Sequence, residues 1–335
     1  MLIWLLQAHW WKSRRRQLLE RAAGFPCAPV AGADRVNIGL RVEVHTYVGT
    51  RDGLVPLVDL LKANDAGATF LFTLGPDRSG AQLRNYLLGR LIRREADALL
   101  RSYSWRALLH GWLLPTPRLA RRCAEAMRAV RAAGFEVGIH AYDRTRWLAE
   151  ALAADGAWTR KEMEHAQCAF RDVFGEEANV HGAAGWRMNR NAFRLTQLLG
   201  FGYATDTRGV EPFVPVWQAE LIACPQLPTS LPTLDEVMRL GNCSAEAAAD
   251  VILERSADTA GGGHVYTLRV EMEGMRHLRV FERMLQTWKG RGDRLLCLAD
   301  YFDELPHKNL RRHEVGIDAI AGGAQAAVQQ AEFLL

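Results

Sequence analysis

The run Ile38-Gly39-Leu40-Arg41-Val42 alternates between apolar and other positions and stops at Glu43-Val44-His45, as a strand does on entering a loop. Phe135-Glu136-Val137-Gly138-Ile139 repeats the pattern and stops at His140-Ala141-Tyr142-Asp143-Arg144. Further strands are predicted over residues 68–73, ending in Gly75-Pro76-Asp77, and over 265–270 and 295–298, with a short one before Ala183-Ala184-Gly185-Trp186-Arg187. Helical spacing predicts helices near 54–64, 118–133, 159–174, 189–199 and 275–289. Strands alternating with helices along the chain indicate an α/β fold with a parallel sheet and βαβ connections. Functional residues gather where strands end, as in barrel-type α/β folds.

Composition narrows the class. The 335 residues suffice for one large domain with a full core, and 49% apolar with 24% charged residues are globular values. The net charge of +4 is small, but Arg crowds residues 13–21, 84–106 and 118–131. So low a net charge makes a nucleic-acid partner a poor expectation. No glycine-rich phosphate loop opens a helix after a strand, so nucleotide cofactors lack support. The 6 cysteines, with no CxxC pair, fit a reducing compartment better than a disulfide scaffold. Residues 1–36 read as a leader, basic and amphipathic or disordered; its Arg14-Arg15-Arg16 follow the apolar run, which is not the order of a secretory signal.

Two strand ends, each delivering a carboxylate and an imidazole, are how an α/β enzyme builds a metal site or an acid/base pair. Arg144, four residues past His140, is always cationic and cannot ligate a metal.

Seven stretches, in order, resemble the polysaccharide deacetylase (NodB-homology, carbohydrate esterase 4) superfamily. They are most similar to the 4-deoxy-4-formamido-L-arabinose-phosphoundecaprenol deformylases of lipid A modification. These are residues 39–53 (GLRVEVHTYVGTRDG), 70–80 with a GPD turn, 136–147 (EVGIHAYDRTRW), 183–187 (AAGWR), 205–209 (TDTRG), 227–237 (LPTSLPTLDEV) and 266–274 (YTLRVEMEG). The resemblance covers nearly all of residues 37–304. It implies a distorted (β/α) barrel of the NodB type, with a basic amphipathic insertion at 80–117 and a tail at 305–335 that need not be ordered. It also implies hydrolysis of an amide on a lipid-linked sugar, at the cytoplasmic face and peripheral to the inner membrane.

That family uses a divalent metal, commonly zinc, held by one Asp and two His, with an Asp as general base and a His as general acid. Its first motif, Asp-Val-Asp-Thr with the base first and a ligand second, is Glu43-Val44-His45-Thr46 here, which implies Glu43 as the base and His45, with His140, as the ligands. Its His-x-x-x-His keeps His140 but has Arg144 at the second place, and the general-acid position falls on Arg269. Arg187 matches the arginine that holds the base carboxylate, and Asp143, Asp206, Arg208, Glu271 and Glu273 match substrate-shaping positions.

Three readings follow. Glu43, His45 and His140 form a rearranged two-His-one-carboxylate metal site. Against it stands Arg144, whose repulsion of a cation at ~4–5 Å is several kcal/mol at an effective dielectric of about 20. Alternatively Glu43 and His45 act without metal, with Arg144, Arg187 or Arg269 stabilising an oxyanion. Or the chain is a catalytically impaired paralogue whose pocket holds an anionic sugar phosphate on Arg144, Arg187, Arg208 and Arg269. Residues 83–113 interleave Leu, Ile, Tyr and Trp with Arg, the pattern of an interfacial element on an anionic membrane. His165 and His181 read as surface or strand-edge residues rather than ligands.

Overall fold

The computed structural model describes residues 35–81, 109–110, 113, 115–258, 262–320 and 323–333. Strand β1 (Asn37–Val44) leads through a π-helical turn (Gly49–Gly53) into helix α1 (Leu54–Ala63) and strand β2 (Thr69–Thr73). Helices α2 (Leu119–Arg122) and α3 (Ala124–Ala132) precede β3 (Glu136–Ala141). Then come α4 (Arg144–Glu150), α5 (Gly156–Phe174), β4 (Val180–His181), α6 (Arg190–Leu198) and β5 (Tyr203–Ala204). Strands β6 (Phe213–Trp217) and β7 (Glu220–Leu221) are followed by α7 (Leu234–Gly241), α8 (Ala245–Arg255) and β8 (His264–Arg269). A second π-helical turn (Met272–Arg276), α9 (Leu278–Gly290), β9 (Arg294–Leu296), α10 (Leu298–Asp303), β10 (Arg311–Ala319) and β11 (Gln325–Glu332) complete the order.

The main sheet runs β5-β4-β3-β2-β1-β8, with β9 on β1, and every pairing is parallel. Asn37–Gly39 pair with β9 and Arg41–Val44 with β2, while β8 pairs along Ile38–Glu43. This is the distorted α/β barrel expected from the sequence.

The period of two in β1 divides two cores. Ile38, Leu40, Val42 and Val44 join the large apolar layer between the sheet and the helices. The opposite face looks into the barrel, whose smaller cluster comprises Leu71, Val180, Tyr203, Leu227, Val265, Leu298 and Tyr301. On that inner face the half-buried Glu136 accepts bonds from Tyr203 Oη (2.5 Å), Ala299 N (3.0 Å) and the Thr69 hydroxyl. Caps fix the helices that follow the site strands. Asp143 accepts from Arg146 N (3.1 Å) at α4, and Asp155 from Trp158 N (2.8 Å) at α5.

The tail reading needs correction. Residues 311–319 and 325–332 form β10 and β11, which with β6 and β7 make a second sheet ordered β11-β10-β6-β7. Arg208 N donates to Ala327 O (2.9 Å) and Gln329 N to Arg208 O (2.8 Å), so the end of the chain is stitched beside the segment that follows β5. The Gln329 side-chain oxygen also accepts from Val210 N (2.8 Å). Short Ala and Gln side chains give this hairpin little apolar periodicity, and main-chain pairing places it instead. Residues 1–34 of the leader, and nearly all of the 80–117 insertion, lie outside the described residues. Among the described residues, no helix is long and apolar enough to cross a membrane.

Candidate metal centre

Alternation along β1 sends Arg41 and Glu43 to the barrel interior. Glu43 stands level with Leu71 of β2, and Leu71 with Gly138 of β3, so His140 rises two residues further on the same face. Gly138 makes room for β4: a Cβ there would lie 2.4 Å from Val180 Cγ1 and 2.7 Å from Val180 O. His45 follows the end of β1 directly. One ligand atom from each of Glu43, His45 and His140 lies within 4.8 Å of the others, and all three residues are buried.

Each side chain is held from behind. Arg41, fully buried on the same face two residues earlier, forms a short ion pair with Glu43 Oε1 and donates to Ala183 O (3.3 Å). His140 Nδ1 lies 2.8 Å from the Gly182 carbonyl, which can only accept, so Nδ1 carries the proton. The Nε2 lone pair then faces Glu43 Oε2 at 4.0 Å and has no hydrogen-bond partner. His45 Nε2 stands 3.6 Å from Glu271 Oε2, and Thr46 donates to the other Glu271 oxygen from N (3.2 Å) and from its hydroxyl.

Burial opposes ionisation of Glu43, but the charges of His140, Arg41 and Arg144 and the Arg41 hydrogen bond hold its carboxyl down at about 2. Burial pushes His140 down to about 3, with Glu43 pulling the other way and Arg41 and Arg144 adding to the fall. Burial, then Arg144, His140 and Arg269, push His45 well below the usual histidine range. At neutral pH the cluster is therefore one carboxylate and two neutral imidazoles, the protonation states that metal ligation requires. A carboxylate held so low is a weak proton acceptor, so Glu43 suits a ligand better than a general base. The orphaned His140 Nε2 and this donor set fit a zinc-like divalent ion.

Other residues singled out in the sequence divide into neighbours and supports. Arg144 opens α4, and its charge acts on Glu43, His45 and His140. Its Nε is buried without a hydrogen-bond partner. Arg269 reaches Asp235 Oδ2 at 3.4 Å, and its backbone N donates to Glu273 (2.9 Å). Glu273 also accepts from Tyr266 Oη (2.9 Å), and burial raises its carboxyl to about 7. Asp206 accepts from His181 Nδ1 and Ala183 N, both at 2.7 Å, and so ties β4 to the 183–187 loop. Arg208 lies over the Trp186 ring, 4.7 Å from its centroid, and 3.6 Å from Glu236.

The expectation that Arg187 holds Glu43 is corrected. Its guanidinium donates to the Leu148 carbonyl, and Arg41 holds the carboxylate. The signal for Arg41 lies in the sequence: a charged residue two places before Glu43 on an alternating strand shares its face. His181 is a further correction: it is buried and bonded to Asp206, while His165 is exposed as expected.

The parallel α/β barrel is the fold of the polysaccharide deacetylases. The fold matches a solved Mycobacterium smegmatis structure assigned to them, with TM-score 0.54 and 16% identity, covering 86% of this chain and 96% of that one. No protein-family model matches the chain. The chain is 32% identical over 254 residues to the probable 4-deoxy-4-formamido-L-arabinose-phosphoundecaprenol deformylase ArnD of Shewanella sediminis, covering 74% of this chain and 80% of that protein. It is 25% identical over 240 residues to the protein of the same description from Wigglesworthia glossinidia brevipalpis, covering 71% and 83%. The chain belongs to the ArnD deformylase family.

Proposed function

We propose that the protein is an amide hydrolase that removes the formyl group from a 4-formamido-arabinose-type sugar carried on a polyprenyl phosphate, at the cytoplasmic face of the inner membrane. The observation that carries this reading is the convergence of Glu43, His45 and His140, in ligating protonation states, at the strand ends of a barrel of this family. These three residues would hold a divalent, zinc-like ion, which supplies Lewis acidity for the amide carbonyl when bound. Arg41 keeps Glu43 ionised and aimed at the cluster, Gly182 O fixes the His140 tautomer, and Glu271 backs His45. Arg144 and Arg269 place positive charge where negative charge develops as the carbonyl is attacked. Water adds to the formyl carbon, the C–N bond then breaks as a proton from that water passes to the departing nitrogen, and formate and a free amine leave.

Formate release from the lipid-linked 4-formamido sugar tests this. Turnover is expected in the zinc-supplemented protein and a loss of at least about a hundredfold in His140→Ala. No formate from wild-type protein shown to contain metal would refute it.

One observation favours a second reading. Arg144 brings a full charge to bear on all three ligand candidates, which favours a metal-free pocket that binds the lipid-linked sugar phosphate without hydrolysing it. Retained substrate binding without metal or turnover would select it.

A further inference from the structure

Two hollows open beside the loops that leave β1 and β3, the strands that carry the metal-ligand candidates. One, of about 600 Å³, is lined by Tyr47, two residues past His45, and by Arg118, Arg121 and Arg122. The other, of about 300 Å³, is lined by Tyr142 and Asp143, just past β3, together with Arg78, Arg118, Arg146 and Lys161. Thr116 and Arg118 line both, so the two hollows adjoin and together form a trough with Arg118 on the wall between its halves.

Its carboxylates are already answered. Asp143 lies 3.3 Å from Arg78, and Glu162 lies 3.1 Å from Arg146. Among the described residues, Arg118, Arg121, Arg122 and Lys161 enter no ion pair, so the trough carries an unbalanced positive charge. Its wall is fixed in advance. Asp77 N donates to Pro117 O (2.9 Å), Leu119 N to Gly75 O (2.8 Å) and Ala120 N to Leu74 O (3.0 Å), fastening the arginine segment to the end of β2. Tyr47 N donates to Asp77 Oδ2 (2.8 Å), fastening the β1 loop to the same point. A fixed backbone that presents several guanidinium groups over a concave surface suits phosphate oxygens, which accept paired N–H donors.

From this we infer that the trough is a phosphate-ester site, and that its occupant is the phosphate joining the sugar to the polyprenyl carrier. The identity of the occupant rests on the deformylase reading: the formamido group and the phosphate lie on opposite sides of one sugar ring, so an amide at the Glu43–His45–His140 cluster puts the phosphate on a neighbouring wall. The phosphate chemistry itself rests on the trough alone.

The test uses the full chain and geranyl phosphate, a short water-soluble prenyl phosphate, with geraniol as the uncharged control. Calorimetry should show salt-sensitive binding of geranyl phosphate and none of geraniol. The double reversal R121E/R122E should weaken binding at least about tenfold while the metal content stays that of wild type. Lys161→Ala, at the other hollow, should weaken it to a smaller degree and serves if the reversal does not fold. Unchanged affinity in both variants would overturn the inference. So would a variant that loses phosphatidylglycerol vesicles but keeps geranyl phosphate, because the charge would then read membrane headgroups. Absent formate release with phosphate binding lost in the variants would sink the deformylase reading and leave the phosphate site standing.

Discussion

Replacing Arg41 by Met would leave the Glu43 carboxylate buried beside no direct counter-charge. The drop of Glu43 from its ordinary 4.5 to about 2 corresponds to about 3 kcal/mol of folding free energy. That drop is net of an opposing burial penalty, and between about pH 3 and neutrality His140 is neutral, so the attraction there comes from Arg41 and Arg144. Breaking a buried pair by removing one member costs about 3–5 kcal/mol in general, which agrees in size. The sign follows from the depressed folded value: the stabilisation is complete above 4.5 and is lost as pH falls through about 2. R41M should therefore be destabilised by about 2–3 kcal/mol at pH 7, and the gap from wild type should narrow toward pH 3. Urea denaturation followed by circular dichroism at a series of pH values measures this. The double variant R41M/E43Q, which leaves no unpaired charge, should recover more than half of the loss. An R41M protein as stable as wild type at pH 7, or a double variant no better than the single, would refute the claim that Arg41 exists to hold Glu43.

Gly138→Ala puts a Cβ 2.4 Å from Val180 Cγ1 and 2.7 Å from its carbonyl oxygen, so a loss of about 2 kcal/mol or more is expected in chemical denaturation; an unchanged midpoint would contradict the close β3–β4 approach. Glu273, raised to about 7 by burial, makes the fold progressively less stable as pH climbs from 4.5 toward 7. Glu273→Gln should flatten that part of the stability profile, and an unaltered slope would assign the pH dependence elsewhere. Deleting residues 306–335 removes β10 and β11 and strips the main-chain partners of Arg208. The truncated chain should lose at least about 3 kcal/mol, read as a lower melting temperature, whereas full stability would make the second sheet dispensable.

What could be read from the sequence depended on how local the cause was. The alternation of Ile38, Leu40 and Val42 with Arg41 and Glu43 contains both the strand and its two faces, because a strand's side chains alternate whatever its neighbours. The meeting of Glu43 with His140 was legible once both were seen to end parallel strands. The family resemblance points to Arg187 as the partner of Glu43, whereas strand parity points to Arg41, the residue that pairs with it. The bond between His181 and Asp206 joins segments 25 residues apart, and neither residue bears a local sign of it. The hairpin of β10 and β11 stayed hidden because its order comes from pairing with β6 and with Arg208, partners that hydropathy does not register.

Glu43, His45 and His140 are read as a metal-binding site despite Arg144. Its most direct test is the metal content of protein purified without chelator, by plasma mass spectrometry, beside His140→Ala and Glu43→Gln. Near-stoichiometric zinc or a similar divalent ion is expected in wild type, with its loss in both variants. Metal-free wild type that stays empty on zinc titration, or variants that retain the full complement, would contradict it.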